Sequence, residues 1–351
     1  MKKLLNRIFI EGLSGMAQGL FATLIIGTIL CQIGSLVGGT VGMYLNMVGT
    51  LAKGATASGI GVGVAAKFGE TPLVTVSAAV SGMMGGYAGQ LLAGTVINGN
   101  ALNIRVPGEP LGAFVAAYIA IEAGHLVAGK TGLDILVTPF VSIGTGSVVG
   151  LLLGSPISKF MTWVGGLIEW GMTQQPLVMG AVVSVLMGMA LTLPISSAAI
   201  GVSLGLTGLS AGAATIGCCC QMVGFAVAGY KENKIGGLIS QGLGTSMLQI
   251  PNIMKKPLIW IPPILSSAIL GPVSSCALKM QSNAIGSGMG TSGLVGPLMT
   301  YQVMSQTQNP VWVIIQIAIM YFVLPGALTL AISDAMIKLG WIKSKDMALN
   351  L

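Results

Sequence analysis

Two stretches of the chain repeat one another: "GLGTSMLQIP", 242–251, and "GMGTSGLVGP", 288–297. Both read G-[LM]-G-T-S-x-L-x-x-P. Glycine and proline interrupt helices, and Thr and Ser bring hydroxyls into apolar surroundings. A helix broken in this way frees backbone amides and can present hydroxyl oxygens to a polar ligand. The expected ligand-binding side chains are Thr245 and Ser246 in the first copy and Thr291 and Ser292 in the second, with Gln249 and Asn252 following the first copy closely. Gly244 and Gly290 are expected to free the backbone. A third break, Pro194-Ile195-Ser196-Ser197-Ala198-Ala199, adds Ser196 and Ser197. A site of hydroxyls and amides suits a small neutral polar solute, because an anion carrier should show a buried Arg. The competing reading is that the glycines let helices pack closely and the hydroxyls bond back to their own helices.

A second constellation is "AIEAGHLVAGKTGLD", 120–134, which holds Glu122 and the chain's single histidine, His125. Three residues apart on a helix, they share a face and can pair. Histidine changes charge near neutral pH, so the pair is a candidate for proton or ion coupling; the alternative is a structural pair. Lys130 and Asp134 suggest a loop salt bridge or a cap. Cys31, Cys218, Cys219, Cys220 and Cys276 fit no zinc or redox spacing and read as small apolar packing residues. No catalytic residue, metal site or cofactor is expected.

These groups must be positioned by a membrane-embedded scaffold. Of 351 residues, 53% are hydrophobic and 7% charged, with a mean hydropathy of +0.88. A soluble domain carries about 25% charged residues. The fold class is therefore an all-α polytopic membrane protein. The net charge of +7 resides at chain ends and short loops: Lys2, Lys3 and Arg7; Lys231 and Lys234; Lys255 and Lys256; Lys338, Lys343 and Lys345. That is a positive-inside pattern, not a nucleic-acid surface. It places both termini in the cytoplasm and requires an even number of spans. The basic start is interrupted by Glu11, Ser14 and Gln18, and reads as an amphipathic entry rather than a cleavable signal.

Spans are expected near 15–38, 46–67, 72–97, 110–129 and 132–154. Residues 155–176 carry Trp163, Trp170, Lys159 and Glu169 between Pro156 and Pro176, and should form an amphipathic helix along the membrane surface. The remainder alternates spans with segments broken by Gly, Pro, Ser and Thr, expected as re-entrant hairpins. About eight to ten spans follow from length. The domain reading is 1–154 as an interface half, 155–176 as the surface helix and 177–351 as a substrate-binding half. The small-residue run "GGTVGMYLNMVGTLAKGATASGIGVGVAA", 38–66, suits tight helix contacts and motivates a homodimer built on the first half.

The stretches "GKTGLDILVTPFVSIGTGSVVGLLLGSPISKFMTWVGGLIEW", 129–170, and "LVMGAVVSVLMGMALTLPISSAAIG", 177–201, resemble the membrane permease subunit (EIIC) of the bacterial sugar phosphotransferase system. The nearest subgroup is the stand-alone EIIC-like proteins, which include regulators of perfringolysin production. The resemblance implies a homodimer in the bacterial cytoplasmic membrane, with the second half carrying a sugar and soluble phosphotransferase proteins as partners. Glucose-type permeases place a histidine and a glutamate in the transport half. Here that half has no histidine, and its acids are Glu232, Asp334 and Asp346. No attached domain with a phosphorylatable Cys or His is read. Two other functions therefore stay open: a membrane sensor or regulator of the same fold, and an ion-coupled secondary transporter without phosphorylation.

Overall fold

The computed structural model describes residues 5–95, 97–98, 101–102 and 108–349. The chain divides into two compact units, Met1–Met161 and Thr162–Leu351.

In the first unit, α1 (Arg7–Val37) is followed by α2 (Gly39–Gly54), α3 (Thr56–Phe68), α4 (Pro72–Gly86) and α5 (Pro110–Val127). The punctuation is chemical. Gly38 (φ 66°) turns the chain between α1 and α2, and Gly69 (φ 70°) ends α3 in the left-handed region that glycine adopts freely. Pro72 and Pro110 stand at first helical positions, where the missing N–H costs nothing. Between α4 and α5, two-residue strands β1 (Ile97–Asn98) and β2 (Ala101–Leu102) pair antiparallel.

Helices in this unit meet through glycines. Gly27 packs on Gly49 and Gly34 on Gly42, joining α1 to α2; Gly15 packs on Gly63 and Gly19 on Gly59, joining α1 to α3. A Cβ at Gly27 would lie 2.7 Å from the Gly49 carbonyl oxygen, so no larger residue fits without a shift. The span expected at 46–67 is instead two helices, 39–54 and 56–68, broken at Ala55 and packed back along α1. Of the small residues of 38–66, Gly42, Gly49, Gly59, Gly61 and Gly63 pack on other helices of the unit, while Gly38 and Gly39 meet nothing within 4 Å.

The next helix, α6 (Asp134–Met172), carries Pro139 and Pro156 in its interior. Residues 155–172, expected as a separate surface helix, continue it, and the boundary between the units falls within it at 161/162. Interior prolines are tolerated in membrane helices, where neighbouring groups satisfy the freed carbonyls. Ile135, Leu136, Phe140 and Leu152 of α6 are all strongly exposed, a face suited to hydrocarbon and not to water.

The second unit contains α7 (Pro176–Thr192), α8 (Ser197–Ser203), α9 (Gly208–Ala228), α10 (Tyr230–Ile239), α11 (Ile250–Lys255), α12 (Pro257–Ala277), α13 (Ala284–Ser287), α14 (Val295–Met304) and α15 (Pro310–Lys338). Helix α9 is its axis, with nearly all of its residues buried. Gly217 of α9 abuts α7 at Gly188, and Gly180 of α7 abuts α12 at Gly271. Among the described residues, α1, α5, α6, α9, α12 and α15 are long and apolar enough to cross a membrane, and α4 and α7 are shorter apolar helices. The chain is an all-α polytopic membrane protein.

Candidate functional site

The two repeated phrases break their helices by different means. In the first copy, α10 runs into a π-turn, Ser240–Gly244, and the helix stops at Thr245, whose backbone is extended (φ −159°, ψ 140°). A short 3-10 turn, Ser246–Gln249, then leads into α11. The break therefore lies at Thr245 and not at Gly244. Thr245 Oγ1 accepts the Met247 amide at 3.1 Å and so caps the restarted helix. In the second copy the expected glycine does the work. Gly290 is left-handed (φ 52°) and presses on Cys218 of α9; Gly293 and Leu294 are left-handed as well.

The phrases and the Pro-Ile-Ser-Ser turn meet around α9. Thr291 Oγ1 donates to the Gly242 carbonyl, tying the second copy to the first. Ser197 Oγ donates to the Gly288 carbonyl at 2.7 Å, tying the turn to the second copy. The Ser246 and Thr192 hydroxyls lie 2.8 Å apart, tying the first copy to the end of α7. Cys218 Sγ lies 3.5 Å from the carbonyl oxygens of Met187 and of Ser287 and packs against this junction, while Cys219 and Cys220 pack in an apolar cluster with Leu270 and Tyr321.

At the centre stands a residue that sequence reasoning did not single out, Gln221 of α9. Its Oε1 accepts from Trp260 Nε1 at 2.8 Å and from Thr192 Oγ1 at 3.2 Å. Gln221 is fully buried, and its Nε2 has no partner among the described residues; neither has Ser292 Oγ. An amide in the apolar run "IGCCCQMVGF" was the available signal, since polar groups inside a membrane are costly unless they are used. Thr192 and Trp260 carried no comparable signal.

All eight expected ligand residues are buried, but they do not form one cluster. Ser197, Ser246, Thr291 and Ser292 lie at the junction. Ser196 Oγ accepts the Ala199 amide and caps α8. Gln249 and Asn252 hold the C-terminal segment instead: Gln249 Nε2 donates to the Met347 carbonyl at 3.0 Å and Asn252 Nδ2 to the Ala348 carbonyl at 2.8 Å. Asn233 joins this clamp, donating to Met347 O at 2.9 Å and accepting the Leu349 amide at 2.7 Å.

In the first unit, Glu122 and His125 do not bond each other. Arg7 Nε donates to Glu122 Oε1 at 2.7 Å, while His125 Nδ1 lies 3.0 Å from Glu70 Oε2. Arg7 Nη2 reaches Glu70 Oε1 at 3.3 Å, and the guanidinium stacks 4.1 Å over the Phe68 ring. The expected pair is thus a chain of four charged or titratable groups centred on Arg7 and Glu70. Glu70 lies in the short segment "GETP" between α3 and α4. Lys130 and Asp134 form no salt bridge. Lys130 Nζ donates to the Leu126 carbonyl, and Asp134 Oδ1 accepts from the Gly129 amide and the Thr138 hydroxyl.

This arrangement of broken helices around a buried amide accompanies a family match over nearly the whole chain: the model described as Phosphotransferase system, EIIC covers residues 10–349. The chain belongs to this EIIC family. A comparison with curated proteins found no match. Family membership gives this EIIC protein a membrane sugar-permease-like function and a membrane-embedded location. Within the EIIC chain, the junction holds two buried polar atoms without a partner among the described residues, Gln221 Nε2 and Ser292 Oγ; Ser274, Gln316 and Ser333 carry others elsewhere in the second unit.

Proposed function

We propose that this EIIC-family protein carries a small neutral polyhydroxyl solute, a sugar or similar polyol, and that the second unit binds it at the junction of Gln221, Thr192, Ser246 and Ser292. The observation that carries the reading is the Gln221 amide, a fully buried donor without a partner, whose own oxygen is held by Thr192 and Trp260. An unpaired buried donor costs about 1–3 kcal/mol, and a solute hydroxyl or ring oxygen would remove that cost. Neutral cargo is favoured because the second-half lysines sit in loops or near helix ends, so no guanidinium or ammonium is at the junction. The same proposal includes a homodimer, the bacterial cytoplasmic membrane and soluble phosphotransferase proteins as phosphoryl donors, on the strength of the family, and cytoplasmic termini, on the strength of the basic clusters.

A second reading, a sensor of the same fold, has one observation in its favour. Ser196, Thr245 and Thr291 are all engaged internally, as in a site that recognises without conducting. Uptake of labelled hexoses, N-acetylhexosamines, hexitols and disaccharides into proteoliposomes separates the two. Permease function predicts uptake of at least one member, with or without the soluble phosphotransferase proteins. Gln221→Met should lower that uptake about tenfold, the equivalent of one lost hydrogen bond. Saturable binding without uptake favours the sensor. Neither binding nor uptake by folded protein would overturn the solute site.

A further inference from the structure

A cavity of about 610 Å³ lies in the second unit, away from the junction, where the end of α9 meets α10 and α15. Leu238, Leu330 and Ile337 contribute apolar walls, and Lys231, Lys234 and Asp334 contribute charge. Neither lysine makes an ion pair among the described residues. Lys234 adopts φ 52°, ψ −152°, a backbone conformation that glycine takes freely and other residues do not. Gly236 and Gly237 stand just beyond it, yet the kink falls on a lysine. The preceding residue is fixed: Asn233 is bonded on both sides of its amide to the C-terminal segment at Met347 and Leu349. A strained, anchored lysine facing a cavity suggests that its ammonium is wanted there.

We infer that this cavity binds the headgroup of a membrane phosphatidylethanolamine. The phosphodiester pairs with Lys231 and Lys234, the ammonium with Asp334, and the acyl chains lie along Leu238, Leu330 and Ile337. Two ammonium groups and one carboxylate match a headgroup carrying one phosphate charge and one amine. The apolar walls would be wasted on free phosphate, and the carboxylate would repel a ligand that is only anionic. This inference is independent of the solute site, because it concerns other residues and a ligand supplied by the bilayer.

Native mass spectrometry of delipidated protein, titrated with phosphatidylethanolamine or phosphatidylglycerol, tests it. One phosphatidylethanolamine should be retained per chain, with at least tenfold weaker binding in Lys231→Gln/Lys234→Gln. Asp334→Asn should abolish the preference over phosphatidylglycerol. Lys234→Gly separates strain from ligand: lipid binding should weaken while the melting temperature of the lipid-free protein rises, because glycine relieves the backbone. Binding unchanged in the double lysine variant would overturn the site. So would equal binding of glycerophosphoethanolamine or inorganic phosphate, which would show that no membrane lipid is needed, and so would equal binding of the two lipids by the parent.

Discussion

Thr245 and Gln221 show why residue type alone does not assign a site. Thr245 sits in the repeated phrase, but its hydroxyl accepts the Met247 amide and holds the start of the following turn. Thr245→Val should cost about 1 kcal/mol of stability, the usual loss of an N-cap, seen as a lower melting temperature in mild detergent. Its effect on solute binding should be smaller than that of Gln221→Met; equal or larger loss would return Thr245 to the ligand set. The charged chain of the first unit makes a second comparison possible. The Glu70 carboxylate is almost fully buried and serves both Arg7 and His125, whereas Glu122 is about a third exposed and takes its ion pair with Arg7 through one oxygen. Hydrogen bonds to charged groups contribute about 1.5–3 kcal/mol each. Glu70→Gln should therefore lower the melting temperature more than Glu122→Gln, which keeps an oxygen that can accept from Arg7. The reverse order would place the weight of the network on α5 instead of the loop before α4.

Helices in this protein are set by where their glycines fall as much as by where their apolar runs begin. At Gly217, a Cβ would lie 2.6 Å from Ser184 Cα and 2.5 Å from its carbonyl carbon, and backbone cannot swing away as a side chain can. Gly217→Ala should cost about 1–3 kcal/mol or more by overpacking the α7–α9 contact. Gly236→Ala, with nothing within 4 Å of the added Cβ, should be neutral or slightly stabilising. Thermal unfolding of the two variants side by side measures the contrast; similar melting temperatures would mean that α7 and α9 are less closely apposed. Much of this layer was legible in advance. Apolar length found the long helices, and the first-position prolines of α4, α5, α7 and α15 mark starts that the sequence advertises. Proline at 156 misled, because the same residue that starts one helix lies inside another when neighbours satisfy the freed carbonyl. The break at Ala55 had no signal beyond the glycine before it. For the junction, the repeated phrase announced two broken helices, but not that Gln249 and Asn252 face the C-terminal segment. That depends on contacts between residues about a hundred positions apart, which local spacing does not encode.

At the scale of the whole chain, the distribution of lysine and the folding of the second unit give separate arguments about sidedness. The basic clusters argue that the N-terminus, the "KENK" start of α10 and the C-terminal segment all face the cytoplasm. The Asn233 bonds to Met347 and Leu349 require, without reference to charge, that the start of α10 and the C-terminal segment lie on one side of the unit. The two arguments can fail separately. Single cysteines placed at Lys3, Lys231 and Lys345, in a background lacking the native cysteines, should all be protected from a membrane-impermeant maleimide in intact cells and should all react after permeabilisation. Positions 231 and 345 must behave alike whichever side they occupy, since the amide clamp allows no helix crossing to separate them. If both react from outside, the charge rule has misplaced the second unit while the fold stands. If only position 3 reacts from outside, the number of crossings is odd, and the expectation of cytoplasmic ends fails at the N-terminus. If 231 and 345 differ, the clamp itself is not formed in the membrane, and the assignment of Gln249 and Asn252 to it falls with it.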